Sequence, residues 1–185
     1  RALFGDRVQY VYYFRDVSLP IDVVVNLAGE PIMDKRWTRK RKSQLRGSRI
    51  GLTQHLNKWI SKTTVKPKVM ISGSAIGYYG NHPEGLPLAE GASTRNCFPS
   101  RLCREWEFEA LKARSLGVRV CLLRTGVVLD GKAGALQKML TPFRLGLGGN
   151  VASGKQWFSW IHIEDIVNAI IFLMEQPDIE GAVNA

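Results

Sequence analysis

The sequence predicts a three-layer α/β fold, a parallel sheet covered by helices on both faces. Three observations predict it. Short apolar runs rich in β-branched residues occur at Ile21–Val25, Lys68–Ile71 and Val118–Leu123. Each has the length and composition of a strand buried on both faces. Long stretches with helical spacing separate these runs, and strand–helix–strand alternation implies parallel strands joined by right-handed crossovers. Each run also ends in small and polar residues: Asn26, Leu27, Ala28 and Gly29; Ser72, Gly73 and Ser74; Arg124, Thr125 and Gly126. Ligands of such sheets bind outside the carboxyl ends of the strands. Three clusters in register therefore mark a candidate site, although glycines there also serve tight turns.

The elements follow in order. Val8–Tyr13 has a strand-like composition but leads into no glycine-rich turn. A helix is expected from Thr38 to Ile60, with Leu45, Leu52, Leu56 and Trp59 on one side. A second runs from Pro99 to Leu116, carried by Leu102, Trp106, Ala110 and Leu111 and stopped by Gly117. Thr38 and Pro99 are suitable starting signals, and glycine is a suitable stop. A further helix spans Glu164–Glu175, and Gly181–Ala185 reads as another strand. A dinucleotide-binding fold opens with a strand, a glycine-rich turn and a helix that holds the pyrophosphate. No such turn occurs here, so the chain is expected to lack the first glycine-rich βαβ unit.

Composition narrows the class. The 185 residues suit one domain, 1–185, and 45% of them are hydrophobic. No run approaches the ~18–20 apolar residues of a membrane span, and the start carries no signal-peptide pattern. A cytoplasmic protein is expected. Three cysteines without paired spacing argue against a disulfide framework and against a metal site. The net charge is +10, and eight basic residues with no acid lie between Lys35 and Arg49. They form a solvated helix face or an anion-binding surface. No nucleic-acid module accompanies them, so nucleic acid ranks low as a partner.

Several motifs together resemble the extended short-chain dehydrogenase/reductases, within the NAD-dependent epimerase/dehydratase superfamily. They are Asn26–Ile32, Arg36-Trp37, Ser72–Gly80, Trp106-Glu107, Leu123–Leu129, Met139–Gly149 and Trp160–Asp165. Within that group the match is to epimerase family proteins of the YfcH type. The resemblance implies a Rossmann sheet binding NADP or NAD, with the basic balance favouring NADP. It also implies a small-molecule substrate and a substrate-holding C-terminal region. Most of that region is expected to be missing here, with residues 140–160 supplying a substrate-side loop. A homodimer is a further expectation.

The resemblance assigns roles residue by residue. Asn26, Leu27, Ala28 and Gly29 pass the cofactor ribose. Ser72 and Gly73 join them on the next strand end, and Thr125 and Gly126 reach the nicotinamide. Ser74 matches the serine that bonds the reacting substrate oxygen. Asp165 reads as structural and as a partner for Arg124. The superfamily's Tyr-x-x-x-Lys pair is degraded: alignment of the helix start puts Cys97 at the tyrosine and Arg101 at the lysine. Arg101 keeps a charge for the ribose, and Cys97 is a different acid. Tyr78 and Tyr79 are the nearest substitutes for the missing phenol, with aromatic packing as the alternative. Two functions remain: an NAD(P)-dependent oxidoreductase or epimerase of a sugar-like or small hydroxylated substrate, or a catalytically impaired dinucleotide-binding regulatory or scaffold protein.

Overall fold

The computed structural model describes residues 8–82, 85–150 and 153–185. Four parallel strands form the main sheet in the order β1 (Val23–Asn26), β2 (Val69–Ala75), β3 (Arg119–Thr125) and β6 (Gly181–Asn184). The register sets Asn26 beside Ser72, Ser74 beside Arg124, and Arg124 beside Asn184. The three strand-end clusters therefore lie along one edge of the sheet, as the alternation of runs and helices predicts.

Between β1 and β2 the chain forms α1 (Arg39–Arg46) and α2 (Leu52–Lys62), joined without a break by a π-helical stretch at Gly47–Gly51. Thr38 caps this helix, its side chain accepting from the Arg41 N–H. Helix α3 (Phe98–Leu111) follows β2, with Pro99 in its first turn. It continues as a 3-10 stretch, Lys112–Leu116, that ends at Gly117 with φ +80, the left-handed stop that glycine makes cheaply.

One core packs Leu56 and Ile60 of α2 and Ala110 of α3 against Met70, Val120 and Leu122. The other packs Ile166 and Leu173 of α5 (Ile163–Glu175) against Val69, Ile71, Cys121 and Leu123. Alternate residues of each strand thus face opposite helical layers, and the three-layer α/β expectation holds.

Three features depart from the sequence reading. Val8–Tyr13 is not a strand: it lies exposed, Tyr12 almost wholly so, and no strand among the described residues pairs with it. Without a neighbour, an extended backbone has no ladder partner. Within 140–160 the chain is not simply a loop, because α4 (Gly134–Arg144) reaches into it. A second, two-stranded parallel sheet, β4 (Val127–Asp130) with β5 (Trp160–His162), flanks that segment.

Candidate functional site

A buried polar network lies directly beneath the strand ends. Ser74 sits on β2, and its hydroxyl donates to Glu107 Oε1 at 2.5 Å. That length falls in the range of a hydroxyl bound to a carboxylate. Glu107 comes from α3 and takes the Arg124 guanidinium in a fork, Nε to Oε1 and Nη2 to Oε2, both at 2.9 Å. The three residues are 7%, 5% and 3% exposed. A carboxylate and a guanidinium this deep are tolerated only as a well-bonded pair.

The network continues toward the surface. Arg124 Nη1 donates to the Tyr79 hydroxyl at 3.0 Å and to the Glu90 carbonyl at 2.8 Å. The Tyr79 hydroxyl in turn donates to Asn184 Oδ1 at 2.6 Å. Asn184 anchors the loop after β2 through Leu88 and the Glu90 carboxylate. The Asn184 N–H is the chief cause of the lowered Glu90 carboxyl pKa. Burial alone would lower the Arg124 pKa, but the bonds to Glu107 and Tyr79 outweigh it and raise the value. The guanidinium carbon lies 3.4 Å from the centre of the Tyr78 ring, a cation–π contact.

The predicted residues divide by what they touch. Asn26 is buried: its amide donates to Thr53 Oγ1, and its Oδ1 accepts from the Ala28 N–H. Thr53 also accepts from the Trp106 indole, so Asn26 ties β1 to α2 and α3. Leu27 and Gly29 are exposed and Ala28 partly so. Ser72 is buried and bonds the Gly73 carbonyl. A Cβ on Gly73 would meet the Trp106 ring at 3.0 Å, so that glycine serves packing. Thr125 is partly buried and bonds the Leu123 carbonyl.

Gly126 has the clearest steric reason to be glycine. A Cβ there would lie 2.8 Å from the Ser159 carbonyl oxygen and 3.1 Å from the Trp160 nitrogen, both backbone. Gly126→Ala should force β4 and β5 apart and cost about 1–3 kcal/mol, read as a lowered urea midpoint. An unchanged midpoint would show that the contact yields freely.

Cys97 and Arg101 do not join this network. Cys97 is the residue before α3 and is half-buried, near Gly80 and Arg95. Arg101 is exposed and donates to Asn96. The α3 residues that face Ser74 are Glu107 and Cys103. Burial, reinforced by Glu107, pushes the Cys103 thiol up to about 11 from 9.0. A raised folded-state pKa adds stability that is complete below the unfolded value and lost as pH climbs through the folded one. Between about pH 9 and 11 the protein should lose roughly 2–3 kcal/mol more than Cys103→Ala loses. Urea unfolding across that range measures the difference, and parallel curves would contradict it.

Asp165 is not the partner of Arg124; it lies exposed in the first turn of α5, and Glu107 holds the arginine. Glu107 enters the sequence reading only within the Trp106-Glu107 motif and without a role, yet a signal for one existed. It falls at helical spacing between Cys103 and Ala110 on the core-facing stripe, where an acid demands a buried cation. The basic run at Lys35–Arg49 is not uniformly solvated either. Arg41 is buried and bonds Glu30 and the Pro31 carbonyl. Arg49 bonds the Glu30 carbonyl, and its guanidinium occupies the space beside Gly29.

The parallel sheet and its helical layers define an α/β protein of the Rossmann type. The chain belongs to the NAD dependent epimerase/dehydratase family, which it matches over residues 6–185. It is 42% identical over 163 residues to the chloroplastic epimerase family protein SDR39U1 homolog of Arabidopsis thaliana, covering 87% of this chain and 46% of that one. It is 38% identical to the epimerase family protein YfhF of Bacillus subtilis, covering 95% and 59%. Among solved structures it resembles human epimerase family protein SDR39U1 with NADPH, at 36% identity and a TM-score of 0.83, covering 92% of this chain and 58% of that one. The chain spans about half the length of the curated relatives it matches. Among the described residues, no helix is long and apolar enough to cross a membrane, and no cluster of three metal-ligating side chains occurs.

Proposed function

We propose that the protein carrying this chain is an NAD(P)-dependent oxidoreductase or epimerase of the YfcH-type branch, acting on a hydroxylated, sugar-like small molecule. The observation that carries this reading is Ser74, held at the end of β2 by its bond to Glu107. The donor set suits a dinucleotide. Leu27 and Gly29 are exposed, and Ala28 partly so, at the end of β1. Arg49 stands beside them with no carboxylate within salt-bridge distance among the described residues. Leu27, Ala28, Gly29 and Thr125 would hold the cofactor, which supplies the hydride chemistry when bound. The relative solved with NADPH, together with the basic balance of the chain, favours NADP.

Ser74 orients the substrate oxygen. Tyr78 is the better placed of the two candidate phenols, because the Tyr79 hydroxyl is already engaged by Arg124 and Asn184. That engagement is also what favours the second reading, a dinucleotide-binding regulatory or scaffold protein without turnover. A screen of sugar-like alcohols and carbonyls with the intact protein, following NADPH fluorescence, tests the choice. The enzyme reading expects turnover that Tyr78→Phe lowers by about 10²-fold or more, with folding unchanged. Tight NADP binding without turnover on any substrate would favour the scaffold.

A further inference from the structure

We propose that the paired outer faces of α1 and α3 form a docking surface for an acidic amphipathic helix of a protein partner, with Phe108 as the apolar anchor. The surface is separate from the cofactor site and gives the basic run a use. The two helices lie side by side and run in the same direction. Trp37 and Lys42 meet the Phe98 ring at the start of α3, and Arg46 meets Glu105 further along it. Arg39, Lys42 and Arg46 recur three and four residues apart, so they share one side of α1. Arg101, Arg104, Phe108 and Lys112 recur in the same way along α3 and its continuation, a stripe about 16 Å long.

The charge of this surface is not neutralised from within. α1 carries no acid. Each acid of α3 is already matched: Glu105 with Arg46, Glu107 with Arg124, Glu109 with Lys112. In the preceding loop Glu30 holds Arg41 and Asp34 holds Lys138. Arg39, Lys42, Arg101 and Arg104 are left with no carboxylate within salt-bridge distance among the described residues; Arg101 bonds the neutral Asn96, and Lys42 lies over the Phe98 ring.

Phe108 stands among these cations 66% exposed, with the Lys112 ammonium 5.2 Å from its ring centre. An exposed ring inside a charged rim is the anatomy of a protein interface. Single-stranded nucleic acid would need successive stacking rings, whereas Trp37 and Phe98 are partly buried and packed edge-on against each other. A second copy of the chain would set these cations against themselves across a two-fold axis, and like charges repel. A helix with carboxylates one turn either side of a leucine meets both the cations and the ring.

The test is fluorescence anisotropy of the intact protein with a labelled peptide of about 20 residues, long enough to hold a helix, in which glutamates flank a central leucine. Saturable binding that weakens as salt rises is expected. Arg101→Glu combined with Arg104→Glu should weaken it by about a hundredfold, and Phe108→Ala by about tenfold. All three side chains are exposed, so circular dichroism should show the fold unchanged. Lys155→Glu, in the segment before β5, reverses a charge outside this surface and should leave binding as it is. Absence of saturable binding at low salt overturns the proposal, as does an equal loss from Lys155→Glu. Tighter binding of oligothymidylate of similar length would give the surface to nucleic acid instead. Sedimentation showing a wild-type dimer that Phe108→Glu dissociates would give it to a second copy, and either result also overturns the proposal.

Discussion

Glu107→Ala should destabilise the protein by about 3–5 kcal/mol, the usual cost of stranding one member of a buried ion pair. Removal of the carboxylate leaves the Arg124 guanidinium, 3% exposed, with the Tyr79 hydroxyl and the Glu90 carbonyl as its hydrogen-bond partners among the described residues, beside the Tyr78 ring. Ser74 loses its acceptor at the same time. Urea unfolding of the intact protein should show a much lower midpoint with little change in slope. The pair itself is not a large net source of stability, because desolvation offsets most of its attraction. The double variant Glu107→Leu with Arg124→Met should therefore recover most of the loss. A single variant within about 1 kcal/mol of wild type would show that the pair is solvated and the network loose.

Ser74→Ala should have the opposite profile. Its hydroxyl is one bond on a pair that remains intact, so stability should fall by no more than about 1–1.5 kcal/mol. Turnover should fall by about 10²–10³-fold, as when one oriented group is lost from a reacting oxygen. NADPH affinity should stay close to that of wild type, because the proposed cofactor contacts lie at Leu27–Gly29 and Thr125. Stopped-flow kinetics beside NADPH titration separates the two effects. A large loss of cofactor affinity with unchanged turnover would move Ser74 from the substrate to the cofactor.

The layers of the fold were legible because burial imposes periodicity. β2, β3, α3 and α5 each carry an unbroken apolar run or stripe, and each lies within a few residues of its expected position. α4 was missed although Leu136, Met139, Leu140 and Phe143 have helical spacing. Pro142 and the glycines that follow it read as loop, and no α4 residue is buried enough to anchor the pattern. β4 and β5 have four and three residues, too few for alternation to show.

In the site, Ser74 was legible from its motif. The ion pair was not assembled, because Arg124 was matched to Asp165 on the basis of the next helix. The decisive signal was burial: both Glu107 and Arg124 stand among apolar residues facing the same layer, while Asp165 heads a helix in solvent. Charges that share a dry environment must find each other.

The most direct test of the account is an NADPH fluorescence titration of the intact protein, run on wild type and on Ser74→Ala. The account predicts saturable binding of similar affinity in both. Absence of binding by the wild type would contradict it, leaving a dinucleotide-binding fold without its ligand.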